Sequence, residues 1–216
     1  MPDVKRRYTS PPVADLPFDL DPQLSERLVA ALDVEGKLTR ALEALGPIGG
    51  RDVVVVGCGD AERRRLAGAG AQLTLVDPLV PGSASGWPLA EGSADVVLAA
   101  WSAFRGVEPA ELAEADRVLR EAGRLLVVHD YGRDDVARLR GDIPEYGAWS
   151  RREGPFIASG FRIRVLHCWW TFESFDEARS ILGAAFGEAG ERLAADLKRP
   201  RIAHNLAVYH RTRGRG

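Results

Sequence analysis

Two glycines and one aspartate pose the first chemical question. Gly57 and Gly59 flank Cys58 directly after Val53-Val54-Val55-Val56, a β-branched run of the kind that forms a strand buried on both faces. Glycine lets a backbone approach a ligand closely and take conformations closed to other residues. Asp77 stands 20 residues beyond Gly57, after a second short run, Leu73-Thr74-Leu75-Val76. A carboxylate at that place can accept hydrogen bonds from both hydroxyls of a ribose. A dinucleotide site would need a third glycine at position 62; Glu62 stands there and would set negative charge beside a pyrophosphate. A ligand with a ribose but no phosphate fits better. The alternatives are a tight, ligand-free strand-to-helix turn at Gly57 and Gly59, and an ordinary strand-end turn at Asp77-Pro78.

His129, Asp130 and Tyr131 follow a further apolar run, Leu125 to Val128. Ligands of open α/β sheets bind outside the carboxyl ends of the strands, which puts these three residues near that edge. A histidine with its ordinary pKa of ~6.5 suits a general base at neutral pH, so His129 is a catalytic candidate and Tyr131 a second. Their alternatives are a strand-end histidine with satisfied hydrogen bonds and a packed tyrosine with a capped hydroxyl. In His167-Cys168-Trp169-Trp170 the histidine and cysteine alternate across a strand and cannot face one metal. No other spacing fits zinc, and no metal is expected. Arg63-Arg64-Arg65 reads as a solvated helix face, or as a contact for a phosphate-bearing substrate.

The elements that must position these groups follow from periodicity. Residues 1–22 carry five prolines and read as an extended arm. Apolar residues from Gln23 to Leu45 recur at helical spacing with a break near Asp33–Gly36, which predicts two helices forming a cap over residues 23–46. Strands are predicted at 53–56, 73–76, 95–100 and 125–128. Helices are expected over residues 60–67 and over Pro109–Leu119, with Gly123 near the second helix's C-terminal cap. Strands alternating with helices imply a parallel sheet. The last third reads as a strand from Phe161 to Trp170 with Ile163, Val165 and Cys168 as core candidates. A helix from an N-cap at Ser174 to Leu197 and a strand over 203–210 follow, and they bring in one antiparallel strand. One domain over residues 23–211 and a basic tail over 212–216 complete the organisation.

Composition narrows the function class. Hydrophobic residues at 45% and charged residues at 28% are an ordinary globular mix, which excludes collagen-like and disordered chains. A net charge of −2 gives nothing to draw nucleic acid or an anionic membrane. Two cysteines are too few for a disulfide framework, so a reducing, cytoplasmic setting is expected. No run approaches the ~20 apolar residues of a membrane helix.

Four segments in order carry a resemblance: VVVVGCGDA, LTLVDP, PLAEGSADVVLAAWSAFR and ELAEADRVLREAGRLLVVHDY. Over roughly Arg51–Asp135 the chain resembles the class I S-adenosylmethionine-dependent methyltransferases, in particular the small methyltransferase type 11 group. The resemblance implies a Rossmann-like sheet, mostly parallel with one antiparallel strand, and S-adenosylmethionine as cofactor. It implies backbone contacts to the cofactor from Gly57, Cys58, Gly59 and Asp60. Asp77 would hold the ribose, with Pro78 beside it, and Trp101 and Ser102 would lie near the methionine moiety or substrate. Three positions depart from the family pattern: Val55 replaces an acid, Ala61 a glycine, and Ser83 the acid that meets the adenine amine. Between Asp77 and Asp95 the prolines and glycines forbid a helix of normal length, so one edge strand and its helix are expected to be lost. Trp87 would then either stack on the base or cap the exposed sheet edge. The expected function is methyl transfer to a small-molecule acceptor. The alternative is an inert, methyltransferase-like interaction module that has lost the cofactor.

Overall fold

The structure, a computed structural model, describes residues 21–57, 63, 66–80, 86–141 and 143–214. The arm expected before residue 21 lies outside the described residues, as do Cys58, Gly59, Asp60 and Ser83. Six strands form one sheet: β1 (Asp52–Val56), β2 (Gln72–Val76), β3 (Ala94–Ala100), β4 (Leu119–Asp130), β5 (Arg162–Thr171) and β6 (Arg201–Thr212). Their order is β2-β1-β3-β4-β6-β5. β1 to β4 are mutually parallel, and β6 runs antiparallel to both β4 and β5. β2 is an edge strand among the described residues, so the strand expected to be lost beyond Asp77 is missing there.

Seven helices are described in full: α1 (Pro22–Ala31), α2 (Lys37–Leu45), α3 (Pro109–Val118), α4 (Asp135–Arg140), α5 (Pro144–Trp149), α6 (Pro155–Ala158) and α7 (Phe175–Asp196). Side chains of a strand alternate between the faces of a sheet. Val53 and Val55 therefore join Leu38 and Leu42 of α2 on one face, while Val54 and Val56 join Ala115 and Val118 of α3 and the aromatics of α5 and α6 on the other. A third cluster packs α1 against α7 around Trp170 and Ile202. Both faces of the central strands are covered, which is why an unbroken valine run suits β1.

Helix starts obey local chemistry. Asp21 caps α1 by accepting from the Leu24 N–H at 3.0 Å, and Ser174 caps α7 by accepting from the Glu177 N–H at 3.0 Å. Between α1 and α2 the chain turns at Asp33, a buried residue with φ of 55°. Its carboxylate accepts the N–H groups of Lys37 at 2.7 Å and Leu38 at 2.6 Å. Asp33→Ala leaves both donors without a partner, and we expect it to cost about 1–3 kcal/mol in urea unfolding. A cost near zero would contradict this role.

Five readings are corrected. The third helix ends at Val118, because Leu119 already pairs with Ala94 at the start of β4. Gly123 therefore serves no helix cap; it lies in β4 within the register shift between Leu119 and Arg124, where an added Cβ would meet the Arg120 carbonyl oxygen at 2.9 Å and that of Asp95 at 3.1 Å. The last helix is broken at Gly187, whose φ of 57° and ψ of −142° are not helical. In β5 the buried side chains are Leu166, Cys168 and Trp170, while Ile163 and Val165 are half-buried. β6 also runs on to Thr212, which pairs with Arg124, so the sheet reaches the position where the basic tail was expected to open.

Among the described residues between Asp77 and Asp95 no strand or helix forms before β3, and residues 87–89 are pinned to α3. The Trp87 indole N–H donates to the Asp77 carbonyl at 3.0 Å, and its backbone N–H to Glu114 at 2.6 Å. Arg117 donates to the carbonyls of Leu89 at 2.7 Å and Trp87 at 3.1 Å, and pairs with Glu114 at 2.6 Å. Trp87 is buried by these contacts and packs into the core beside α3. That placement is the edge-capping role and not an exposed stacking platform.

Candidate functional site

The carboxyl ends of β1, β2, β3 and β4 share one edge of the sheet. At β1 the chain turns through Gly57, with φ of 61°, while its N–H still donates to the Val76 carbonyl at 2.8 Å. At β2 the next residue, Asp77, is exposed. Its carboxylate has no hydrogen bond or ion pair among the described residues. After β3, Ser102 folds over the glycine: its hydroxyl donates to the Val56 carbonyl at 2.5 Å. A Cβ on Gly57 would lie 2.6 Å from the Ser102 Cβ and 3.2 Å from Pro78. Glycine is required here twice over, by conformation and by close approach.

The loop after β3 is bent sharply. Trp101, Phe104 and Val107 have φ of 55°, 58° and 61°, a region that costs an ordinary side chain about 1–3 kcal/mol each. All three are buried. Trp101 is held by its indole N–H, which donates to Asp130 Oδ1 at 2.6 Å. Asp130, the last residue of β4, also meets His204 Nε2 of β6 at 3.1 Å and forms an ion pair with Arg140 of α4. Burial works against the Asp130 charge. His204 and Arg140, with the Trp101 indole, outweigh it and hold the carboxyl well below its ordinary range.

His129 faces the other side of β4 and is completely buried. Its ring lies 4.9 Å from that of Trp149 and 6.2 Å from that of Phe156. The backbone of Ala103 and Phe104 runs beside it and favours its charged form, though among the described residues neither ring nitrogen has a partner at full hydrogen-bond geometry. Burial, and then the nearby Arg105 guanidinium, push its pKa down to about 3. Tyr131 is half-buried; its N–H donates to the Asn205 carbonyl at 2.8 Å, and the Arg133 guanidinium lies 5.9 Å from its ring. Cys168 Sγ lies 3.8 Å from Asp33 Oδ1, and burial pushes its thiol up to about 12, which removes it as a nucleophile.

A pH prediction follows from His129. The unfolded chain protonates this ring near pH ~6.5, whereas the folded chain keeps it neutral down to about 3. The unfolded state then binds more protons, so stability falls as the pH drops through that window, by up to about 1.4 kcal/mol per unit. His129→Phe keeps a ring and removes the titration. Melting temperatures of this variant are expected to change less between about pH 6.5 and 4.5 than those of the parent. Equal slopes would contradict the assignment.

The structure thus brings Gly57, Asp77, Pro78, Trp101 and Ser102 to one rim, and buries His129 on the opposite face of β4 from Asp130, against the loop that carries Ser102. Sequence reading missed His204 and Arg140, which belong to no motif. The available signal was a histidine inside the apolar run of β6, where a polar ring needs a partner.

No family model and no curated protein matches this chain. Solved structures do resemble it. A candidate type II methyltransferase from Anaeromyxobacter dehalogenans is 20% identical over 83% of this chain and 96% of its own, with a TM-score of 0.50. An S-adenosylmethionine-dependent methyltransferase from Aquifex aeolicus is 16% identical over 89% and 98%, with a TM-score of 0.48. The chain has the class I methyltransferase fold, in a six-stranded form.

Proposed function

We propose that this chain is an S-adenosylmethionine-dependent methyltransferase acting on a small molecule. One observation carries the reading: an exposed carboxylate at the end of β2, unpartnered among the described residues, stands beside a left-handed glycine at the end of β1. In this fold that pair is where a ribose is gripped, and the free carboxylate fits it. Asp77 would accept the two hydroxyls, with Pro78 and the Gly57 backbone forming the floor. Cys58, Gly59 and Asp60 are proposed to continue that floor. When bound, S-adenosylmethionine supplies an already activated methyl group, so the protein's task is to position the acceptor. Trp101 and Ser102 are proposed to line the boundary between cofactor and acceptor, with Trp101 held rigid by Asp130. Tyr131 is proposed to face the acceptor from the end of β4, and His129 to support the acceptor side as a neutral ring. A small-molecule acceptor is favoured because the net charge of −2 offers nothing to a nucleic acid. Among the described residues no helix is long and apolar enough to cross a membrane.

A second reading, an interaction module without cofactor, is favoured by the Ser102 side chain lying directly on Gly57. Thermal melting separates the two. A ligand at a hundred times its dissociation constant stabilises the folded state by ~2.7 kcal/mol. The enzyme reading expects a rise in melting temperature with S-adenosylmethionine; no shift at millimolar ligand supports the module.

A further inference from the structure

Among the described residues, four wholly buried polar atoms on one side of the sheet have no hydrogen-bond partner: both ring nitrogens of His129, the Tyr146 hydroxyl oxygen and Glu111 Oε2. Buried polar groups are nearly always satisfied, and several unpartnered atoms at one place mark where a polar guest can be held. The place is coherent. Trp149 lies 4.9 Å from His129 and 5.1 Å from Tyr146, ring to ring, and Phe156 closes the group 5.9 Å from Trp149. Glu111 reaches the same loop, accepting the Phe104 N–H at 3.0 Å through its other oxygen. This is the loop of left-handed residues after β3, whose Ser102 touches Gly57, so the group adjoins the proposed cofactor rim.

Charge and shape define what would fit. Two guanidiniums lie over the aromatic rings, Arg105 at 5.5 Å from Trp149 and Arg140 at 5.2 Å from Tyr146, so cations already occupy those ring faces. Aromatic rings favour a flat apolar guest in edge or offset contact. The unpartnered atoms ask for a hydroxyl that both donates and accepts. The cover is built to move. α5 and α6, six and four residues long, supply Tyr146, Trp149 and Phe156. Gly141 and Gly160 bound this segment with φ of 89° and 81°, each with open space where a Cβ would stand.

We propose that the segment between Gly141 and Gly160 covers the methyl-acceptor site, and that the acceptor is an uncharged, hydroxyl-bearing aromatic compound whose ring meets Trp149 and Phe156 and whose hydroxyl meets His129 and Tyr146. The word acceptor rests on the methyltransferase reading; the site itself does not. The test uses the full chain without nucleoside, with p-cresol as probe and toluene as its hydroxyl-free counterpart, followed by tryptophan fluorescence and melting temperature. p-Cresol is expected to bind in the millimolar range or tighter, and toluene about tenfold more weakly. His129→Phe and Tyr146→Phe are each expected to remove that preference. Tyr146→Phe deletes a single oxygen from a packed ring and keeps the test valid where His129→Phe fails to fold. Absence of p-cresol binding, equal binding of toluene, or an unchanged preference in Tyr146→Phe overturns the proposal. Titration with S-adenosylhomocysteine judges the methyltransferase reading separately.

Discussion

Asp130→Ala is expected to lower the unfolding free energy by about 3–5 kcal/mol, the usual cost of removing one partner of a buried ion pair. Asp130 and Arg140 are both about 1% exposed, and His204 is completely buried. Without the carboxylate, the buried Arg140 guanidinium loses this counter-charge, and the Trp101 indole N–H loses its acceptor. A domain stable by about 5–15 kcal/mol would spend a large part of that margin. The loop after β3 should loosen with it, because Trp101 sits at a left-handed φ that its indole bond helps to hold. Urea unfolding at neutral pH measures the loss directly. A change below about 1 kcal/mol would show that the pair adds little over solvation. Replacing Asp130 and Arg140 together by apolar residues should cost less than Asp130→Ala alone, since the buried pair is then removed as a unit.

The second large effect concerns binding. Asp77→Ala is expected to weaken nucleoside binding by one to two orders of magnitude or more, because each hydrogen bond to a charged acceptor is worth about 1.5–3 kcal/mol. The residue is exposed and, among the described residues, its carboxylate has no protein partner, so the same change should leave folding stability within about 0.5 kcal/mol. That split between affinity and stability is the signature of a ligand contact. Loss of both together would mark Asp77 as structural. Its carbonyl oxygen, which takes the Trp87 indole, is untouched by the substitution.

Much of this architecture could be read before any coordinates. Val53 to Val56 is uniformly β-branched because β1 is covered on both faces, and such strands carry a strong local signal. The helix break near Asp33 was visible as a gap in periodicity, though not the capping role of Asp33, which depends on its side chain reaching Lys37 and Leu38. The lost edge strand followed from three prolines and three glycines between Asp77 and Asp95. Other features answer to tertiary structure alone. Gly123 resembles a helix cap in sequence but is demanded by the close approach of the Arg120 carbonyl, the Leu119 side chain and, across the sheet, the Asp95 carbonyl. Gly187 breaks a pattern that is helical on either side. β5 is an edge strand with uneven cover, so its alternation pointed to Ile163 while its packing chose Leu166 and Trp170.

The candidate site divides the same way. Gly57 and Asp77 announce themselves by spacing, and the fold sets them side by side through the pairing of Val56 with Val76. Arg140 and His204 lie 10 and 74 residues beyond Asp130, on elements that meet it only in three dimensions. His129 offered the residue type of a base, but strand register turned it into the aromatic group of α5 and α6.

Isothermal calorimetry of S-adenosylhomocysteine with the parent chain and with Asp77→Ala tests the central claim most directly. Micromolar affinity in the parent and little or no heat from the variant is the predicted result. No heat from the parent at millimolar ligand, or the same affinity in both proteins, would contradict it.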